Sequence, residues 1–598
     1  MFLAVLCTFI KWYDFKMARG VHAVHQLLHL TNKAVFNRVP LLSSSLPGCR
    51  RYTDFSGSDS HDVKRERIIE KLKPAEYFNL TRDIVAPWAE HKPSHPALLV
   101  TDGHNKLTIS YHTLVSEAKR FASALSNPHP PALALVLLPK MPQWWVVNLA
   151  GAWCGTIICP GVTQLTAKDV SYRVKHSGAD CIICTADLAQ ALDTATRGLS
   201  RRILVSEGSQ CKYREGWERY EDLMNSSEEC NVECVNSKGS DVAQLFFTSG
   251  TTGKPKMVPH THGSYGVGHI TTSRYWLDLC EDDLVWNISD TGWAKAAWSS
   301  LYAPIMAGAT AFVHQMVGFN AEEMMQALRD YPVSVLCAPP TVYRALVQGA
   351  SFHSGFPSLR HCVSAGEPLN PEVMYEWTKV TGLSIYEGFG QTETTLLACV
   401  VPGMRLRPGS MGKPAPGYDL KVVDDSYQEL GPHQEGYLAI NLKNSVPVGL
   451  FRGYLNDEEK TQEMFVGGYY LTGDKAYYDE DGYFWFIGRS DDVIISSGYR
   501  IGPFEVESCL LEHPAVAESA VVSSPDSLRG EVVKAFVILA EGYKDADHTA
   551  LIISLQQHVK KNTAPYKYPR MIEIVETLPK TVSGKIRRVE LRNQEWGK

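Results

Sequence analysis

Short runs of apolar, mostly β-branched residues recur along the chain and alternate with stretches of helical spacing. Residues 132–138, 181–184, 203–205 and 333–336 are such runs. Their alternation with helices predicts an α/β protein with largely buried sheets. Another run, 245–247, leads directly into a turn rich in Ser, Thr and Gly. The texture changes near residues 482–490, where an aromatic strand, 483–487, ends in Gly488-Arg489-Ser490-Asp491-Asp492. The remainder reads as a compact unit of its own. Pro503 with Glu505 and Glu507 marks a helix start, since proline suits the first turn and acids suit its dipole. Strands follow at 517–522 and 532–539, then a helix from about His548 to Lys561. A last strand, 571–575, enters a Gly/Lys-rich loop. The pattern predicts a large N-terminal domain with buried sheets and helices (54–488), a hinge near Asp491, and a small mobile α+β C-terminal domain (489–598).

Composition narrows the class. The longest early apolar run, residues 2–10, falls short of the ~18 residues that a membrane-spanning helix needs, so no transmembrane segment is expected. The 14 cysteines are scattered, which indicates neither a disulfide scaffold nor a zinc site and fits a reducing compartment. Charge is divided unevenly. Residues 1–53 carry seven Lys or Arg against Asp14, a local charge of +6, which leaves −12 for the rest of a chain whose formal net charge is −6. No acid occurs between Met17 and Thr53. A basic, amphipathic, serine-containing and acid-free segment is the composition of a mitochondrial transit peptide, with Met17 as an alternative start and the matrix as destination. A secretory signal fits residues 2–10 poorly, because no basic residue precedes them. The acidic body argues against a nucleic-acid surface.

The strongest chemical signal is Thr248-Ser249-Gly250-Thr251-Thr252-Gly253-Lys254-Pro255-Lys256, directly after a buried strand. Glycines permit close backbone approach, and hydroxyls with free N–H groups can wrap phosphate oxygens. Only two residues separate Gly250 from Gly253, and Pro255 stands where a Walker A loop needs Ser or Thr. A P-loop NTPase is thereby excluded, and the metal ligand must lie elsewhere.

This loop resembles the signature phosphate loop of the adenylate-forming enzymes, a family that includes acyl-CoA synthetases, luciferases and nonribosomal adenylation domains. Further motifs follow in the family's order from about Glu66 to the C-terminus. Ser289-Asp-Thr-Gly-Trp293, Ser497-Gly-Tyr-Arg-Ile-Gly-Pro503 and Thr563-Ala-Pro-Tyr-Lys-Tyr-Pro-Arg570 are similar to the mitochondrial medium-chain acyl-CoA synthetases. The resemblance implies that Glu387, Gly388, Phe389, Gly390, Gln391 and Thr392 line the adenine and α-phosphate, the glycines letting backbone lie flat against the base. Glu393 then binds Mg²⁺, a hard ion that prefers oxygen. Asp474 accepts from both ribose hydroxyls, since a carboxylate offers two acceptor oxygens. Arg489 and Arg500 also contact ATP. Lys585, in Pro579-Lys-Thr-Val-Ser-Gly-Lys-Ile-Arg-Arg588, becomes the catalytic cation for attack of carboxylate on the α-phosphate. Arg587 and Arg588 read as an ordinary basic tail.

Coenzyme A carries phosphates and an adenine, so its site should gather cations and aromatics. Arg529, Lys560, Tyr568, Pro569 and Arg570 supply them in the C-terminal domain, and the resemblance adds Ser497, Gly498 and Tyr499, with Gln164 from the larger domain. Asp491 is the implied pivot. For the acyl pocket, Trp293 leads, with Trp298, Tyr302 and the string Cys362-Val-Ser-Ala-Gly-Glu367, although such residues equally form ordinary core. Tyr437 departs from the family, which often has an acid after the glycine of Glu435-Gly436. The expected activity is a two-step ligation of a medium-chain fatty or aryl acid to coenzyme A through acyl-AMP. Its rivals are an adenylate-former that passes the acyl group to a carrier protein or oxidises it, and a catalytically silent paralogue that only binds acyl groups or partners.

Overall fold

The computed structural model describes residues 60–597 except 74–75, 207–212, 228–231, 249–254, 317, 497–498, 527–528 and 581–584; the Arg500 side chain is likewise outside the description. The described residues all belong to the unit Arg51–Lys598. The expected transit peptide at 1–53 lies outside them.

Two large sheets form the greater part of the molecule. In the first, Arg201–Val205, Cys181–Thr185, Leu133–Leu137, Ile157–Pro160 and Val242–Thr248 lie side by side and parallel, and Lys256–Thr261 closes the edge antiparallel. The second is parallel through Pro96–Thr101, Thr310–His314, Leu284–Asn287, Val335–Ala338, His361–Ala365 and Ile385–Gln391. It then turns antiparallel through Thr395–Cys399, Ser410–Pro414, Phe484–Arg489, Tyr469–Tyr478, Gly436–Asn441 and Leu420–Val423. The apolar runs become strands because both faces are covered. Leu133–Leu137, Cys181–Thr185 and Val335–Ala338 are buried at every position. Local chemistry sets the helix ends. Thr166 and Asp169 make a reciprocal capping box before Ala167–Ser177, and Gly178 ends that helix at φ 72°.

One correction concerns the cysteines. Cys181 and Cys184 stand in a Cys-x-x-Cys spacing, so the cysteines are not without close pairs. On one strand, however, residues three apart face opposite ways. Cys181 accordingly belongs to one hydrophobic core and Cys184 to another, and burial raises both thiols. They cannot share an ion.

The C-terminal sheet comprises Tyr499–Ile501, Ile494–Ser496, Gly530–Leu539 and Val516–Asp526, with Met571–Ile574 parallel to Gly530–Leu539. Its strands alternate. Val521, Val533, Ala535 and Val537 pack with helices Pro503–Leu511 and His548–Asn562, whereas Ala520, Val522 and Phe536 pack with Leu591 of helix Arg588–Glu595.

Two acids expected at one helix start have different roles. Glu505 caps, accepting from Gly502 N at 3.3 Å. Glu507 is buried and accepts from Val521 N at 2.7 Å and from Arg588 at 2.9 and 2.6 Å. Arg588 is therefore no plain tail residue. It is forked onto a buried carboxylate, the bidentate geometry that fixes a guanidinium best.

Candidate active site

The antiparallel edge of the first sheet fixes the ends of the glycine-rich loop. Thr248 and Lys256 are register partners, so the chain leaves and returns at one place. Ser249, Gly250, Thr251, Thr252, Gly253 and Lys254 lie outside the described residues. Pro255 offers its carbonyl to the Tyr172 hydroxyl at 3.4 Å. Lys256 sits 5.3 Å above the Tyr454 ring, and the Tyr454 hydroxyl donates to Glu393 Oε1 at 2.9 Å. The segment holding Tyr454 is tied at both ends, by Phe451 N to Glu393 O at 2.8 Å and Leu455 N to Met257 O at 3.0 Å. Loop end and Glu393 thereby meet. Burial raises the Glu393 carboxyl, and Arg489 and Lys256 oppose that rise.

The second motif occupies strand Ile385–Gln391. Its glycines answer to the protein's own packing. A Cβ on Gly388 would lie 2.5 Å from the Trp276 ring, and one on Gly390 would lie 2.0 Å from the Thr395 carbonyl oxygen. The room ascribed to a nucleotide base is, on that side of the backbone, filled by Trp276 and Thr395. Phe389 lies 6.2 Å from the Phe486 ring. Glu387 is buried and accepts from Leu369 N at 3.1 Å, and burial pushes its carboxyl up to about 8. The Thr392 carbonyl accepts from Nε2 of buried His260 at 2.5 Å. Burial pulls that imidazole down to about 3, so it is neutral.

Gln391, Asp474 and Arg489 form one network. Asp474 and Arg489 face each other across adjacent antiparallel strands. Arg489 donates to Oδ1 at 2.9 Å, and Gln391 Nε2 donates to Oδ2 at 2.6 Å. Burial raises the carboxyl, while the charge of Asp474 raises the arginine. Each Asp474 oxygen keeps a further lone pair.

Lys585 reaches this network from the C-terminal sheet. Lys580 and Ile586 form an isolated bridge and Arg587 N bonds Pro579 O at 2.8 Å, so the two ends of the lysine-bearing segment, whose residues 581–584 lie outside the description, are held together. The Arg588–Glu507 fork anchors its far end. The Lys585 side chain is solvent-exposed yet has protein packed around it. That surrounding lowers its ammonium pKa. Glu367 is the first charge to offset the drop, Arg489 adds to it, and Asp474 opposes it.

Several residues here escaped the sequence reading. Glu367 entered only as part of a pocket wall, yet its charge acts on Lys585, and it lies 3.6 Å from Arg344. Lys295 Nζ donates to the Ala365 carbonyl at 2.7 Å and is also within electrostatic reach of Lys585. Tyr454 and His260 carry no local motif that could have singled them out.

Of the coenzyme A candidates, Lys560, Tyr568 and Arg570 converge. The Lys560 ammonium is 4.0 Å from the Tyr568 ring centroid, Arg570 is 5.0 Å from it, and Arg570 donates to the Tyr568 hydroxyl at 2.9 Å. Pro569 O accepts from Gln556 at 3.1 Å. Exposed Tyr499 stacks on Tyr566 at 4.3 Å. Arg529 precedes strand Gly530–Leu539 and lies 3.8 Å from Asp526. Ser497 and Gly498 are outside the described residues, and of Arg500 only the backbone pairing with Ile495 is described. Gln164 is exposed on the larger body; no hydrogen bond, ion pair or ring contact among the described residues joins it to this cluster.

Trp293 is half-buried with its Nε1 buried and unpartnered. It follows Gly292, where a Cβ would lie 2.2 Å from Val162 N, so two backbones touch there. Trp298 and Tyr302 are buried among aromatic rings, Trp298 Nε1 donating to the Tyr265 hydroxyl at 2.9 Å. At the departure from the family pattern, Tyr437 pairs in register with Lys475, whose ammonium lies 4.6 Å from its ring. The aromatic face supplies the negative potential that an acid would otherwise offer.

Asp491 is exposed; Arg592 donates to its carbonyl and, at 2.7 Å, to Asp492 Oδ1.

The model of the AMP-binding enzyme family matches residues 85–455, and that of the AMP-binding enzyme C-terminal domain matches 505–585. The mouse mitochondrial acyl-coenzyme A synthetase ACSM3 is 48% identical over 538 residues, covering 88% of this chain and 92% of that protein. Among solved structures, an anthranilate CoA ligase in complex with anthranoyl-AMP superposes with a TM-score of 0.79 at 29% identity, covering 87% of this chain and 98% of that one. An acyl-CoA synthetase from Brucella canis superposes with a TM-score of 0.69 at 34% identity, covering 90% and 99%. With both family models matched in order and a relative this similar along nearly its whole length, the chain belongs to the AMP-binding, adenylate-forming enzyme family, among its acyl-CoA synthetases.

Proposed function

We propose that this enzyme activates a medium-chain fatty or aryl carboxylic acid and transfers it to coenzyme A. The carrying observation is the electrostatic convergence of Lys585, from the C-terminal body, with Glu367, Asp474 and Arg489 of the larger one. In the first step a carboxylate oxygen attacks the α-phosphorus of ATP; the bond to pyrophosphate breaks and acyl-AMP forms. Two anions must meet, and Lys585 supplies positive charge where it develops. Arg489 and Lys256 add to that field, while Asp474 offers its remaining lone pairs to the ribose. In the second step the coenzyme A sulfur attacks the acyl carbonyl carbon and AMP leaves. The basic and aromatic cluster of Lys560, Tyr568 and Arg570 suits the phosphates and adenine of coenzyme A.

Glu393 suits a Mg²⁺ ligand, since it is a half-buried carboxylate beside the end of the phosphate loop, oriented by the Tyr454 hydroxyl on Oε1. The ion would supply charge neutralisation on the phosphates. Movement of residues 489–598 about Asp491, exchanging Lys585 for the thiol, accounts for two chemistries in one site. Among the described residues no helix is long and apolar enough to cross a membrane. The curated relatives are named mitochondrial, and this chain is likewise mitochondrial; the basic, acid-free leader favours the matrix.

Carboxylate-dependent ATP–pyrophosphate exchange, run from butyrate to palmitate and with benzoate, tests the reading. Exchange that peaks at medium chains or benzoate supports it. ATP binding without exchange for any acid would favour a silent paralogue.

A further inference from the structure

The C-terminal body carries a second group of chemistry-bearing side chains that the ligation does not use. Cys509 lies near the end of helix Pro503–Leu511, Glu512 caps that helix, and His558 projects from the neighbouring helix His548–Asn562. One ligand atom from each lies within 4.8 Å of the others. His558 Nε2 is 3.8 Å from Glu512 Oε2 and donates to the Cys509 carbonyl at 3.0 Å. Its Nδ1 is 3.2 Å from the Asn562 amide. Turning that amide would let its oxygen accept an Nδ1 proton, freeing Nε2 and supplying the outer partner that metal-bound imidazoles have.

The electrostatics favour a cation. Cys509 is buried, whereas Glu512 and His558 are partly open, so the thiol floors a site with an entry path. Glu372, on helix Pro371–Thr381 of the larger body, bears electrostatically on both Cys509 and Glu512. A thiolate beside two acids is stable only when positive charge is added, which a bound ion supplies. Thiolate, imidazole and carboxylate form a common zinc donor set, with bonds of ~2.0–2.3 Å in tetrahedral geometry. Closing three ligands from their present spacing requires side-chain shifts of about 1 Å.

We propose that Cys509, Glu512 and His558 bind a zinc ion where the C-terminal body meets the larger one. Binding displaces the Cys509 thiol proton to water and moves the imidazole proton from Nε2 to Nδ1. Chain separation hides the set: His558 lies on a different helix, so no short motif announces it.

The test uses the full chain, stripped with chelator and titrated with Co²⁺ as probe, then with Zn²⁺ in competition with a chromophoric chelator. The expected result is one Co²⁺ per chain with thiolate-to-metal charge-transfer absorption, displaced by Zn²⁺. Cys509→Ser abolishes that absorption, and His558→Gln weakens zinc binding at least ~10-fold. Unchanged absorption in Cys509→Ser, or equal zinc affinity in wild type and His558→Gln, overturns the site. Should Cys509→Ser fail to fold, the more exposed His558→Gln carries the test. Neither readout depends on turnover, so this site can fail while the ligase reading stands.

Discussion

Arg489 Nη1 lies 2.9 Å from Asp474 Oδ1, and the two residues are direct partners on adjacent antiparallel strands. The pairing, with Gln391 on the other carboxylate oxygen, holds a buried carboxylate where the proposed function puts the ribose. Asp474→Asn should leave Arg489 without its ion partner and weaken the ribose contact. The expected result is an ATP KM raised ~10-fold or more. Stability should fall by about 1–3 kcal/mol, below the full buried-pair range because Arg489 is 41% exposed. Pyrophosphate exchange reads the first effect and urea denaturation the second. An unchanged KM would remove Asp474 from the ribose site.

Lys585 lies three residues before Arg588, whose fork onto Glu507 is independent of the lysine ammonium. Lys585→Ala should therefore fold normally. Adenylation should drop ~10²–10³-fold, while thioester formation from supplied acyl-AMP changes by no more than a few-fold. Equal loss in both half-reactions would contradict a role confined to the first.

Glu387 predicts a pH effect on stability. Its carboxyl has a folded-state pKa of about 8 because of burial, against about 4.5 for the unfolded chain. A raised folded pKa means that the folded state holds the proton more tightly, so this contribution is complete below pH ~4.5 and is lost as pH rises toward ~8. A tenfold difference in proton affinity between the two states corresponds to ~1.4 kcal/mol. Glu387→Gln, an isostere that cannot ionise, should flatten the decline of Tm between pH 5 and 8.5. Parallel curves for both proteins would show that Glu387 is already ionised.

Gly388 tests the packing account of the second motif. With the Trp276 ring 2.5 Å from any added Cβ, Gly388→Ala should cost about 1–3 kcal/mol. Combining it with Trp276→Leu, which opens space on that side, should restore part of the loss. If Gly388→Ala folds as stably as wild type but no longer binds ATP, the glycine serves the nucleotide instead.

Much of the fold was legible because strand signals are local. Apolar runs at 132–138 and 181–184 appear as Leu133–Leu137 and Cys181–Thr185, and the helix expected from His548 runs His548–Asn562. Less legible were residues whose role depends on who faces them. Glu507 looked like a first-turn acid and proved to be the buried partner of Arg588, 81 positions away in sequence. Cys181 and Cys184 look like a metal-binding spacing but point into different cores.

By itself the sequence determined the α/β class, the order of its elements, and the motif residues of the adenylate-forming family. These are properties of short strings: periodicity, caps, glycine spacing and charge. Only the tertiary structure decided that Glu367 faces Lys585, that Tyr454 joins Lys256 to Glu393, that Trp276 fills the space over Gly388, and that Cys509, Glu512 and His558 share one corner. Such relationships arise where distant strands and helices pack, and contact between residues far apart in sequence leaves no trace in local pattern.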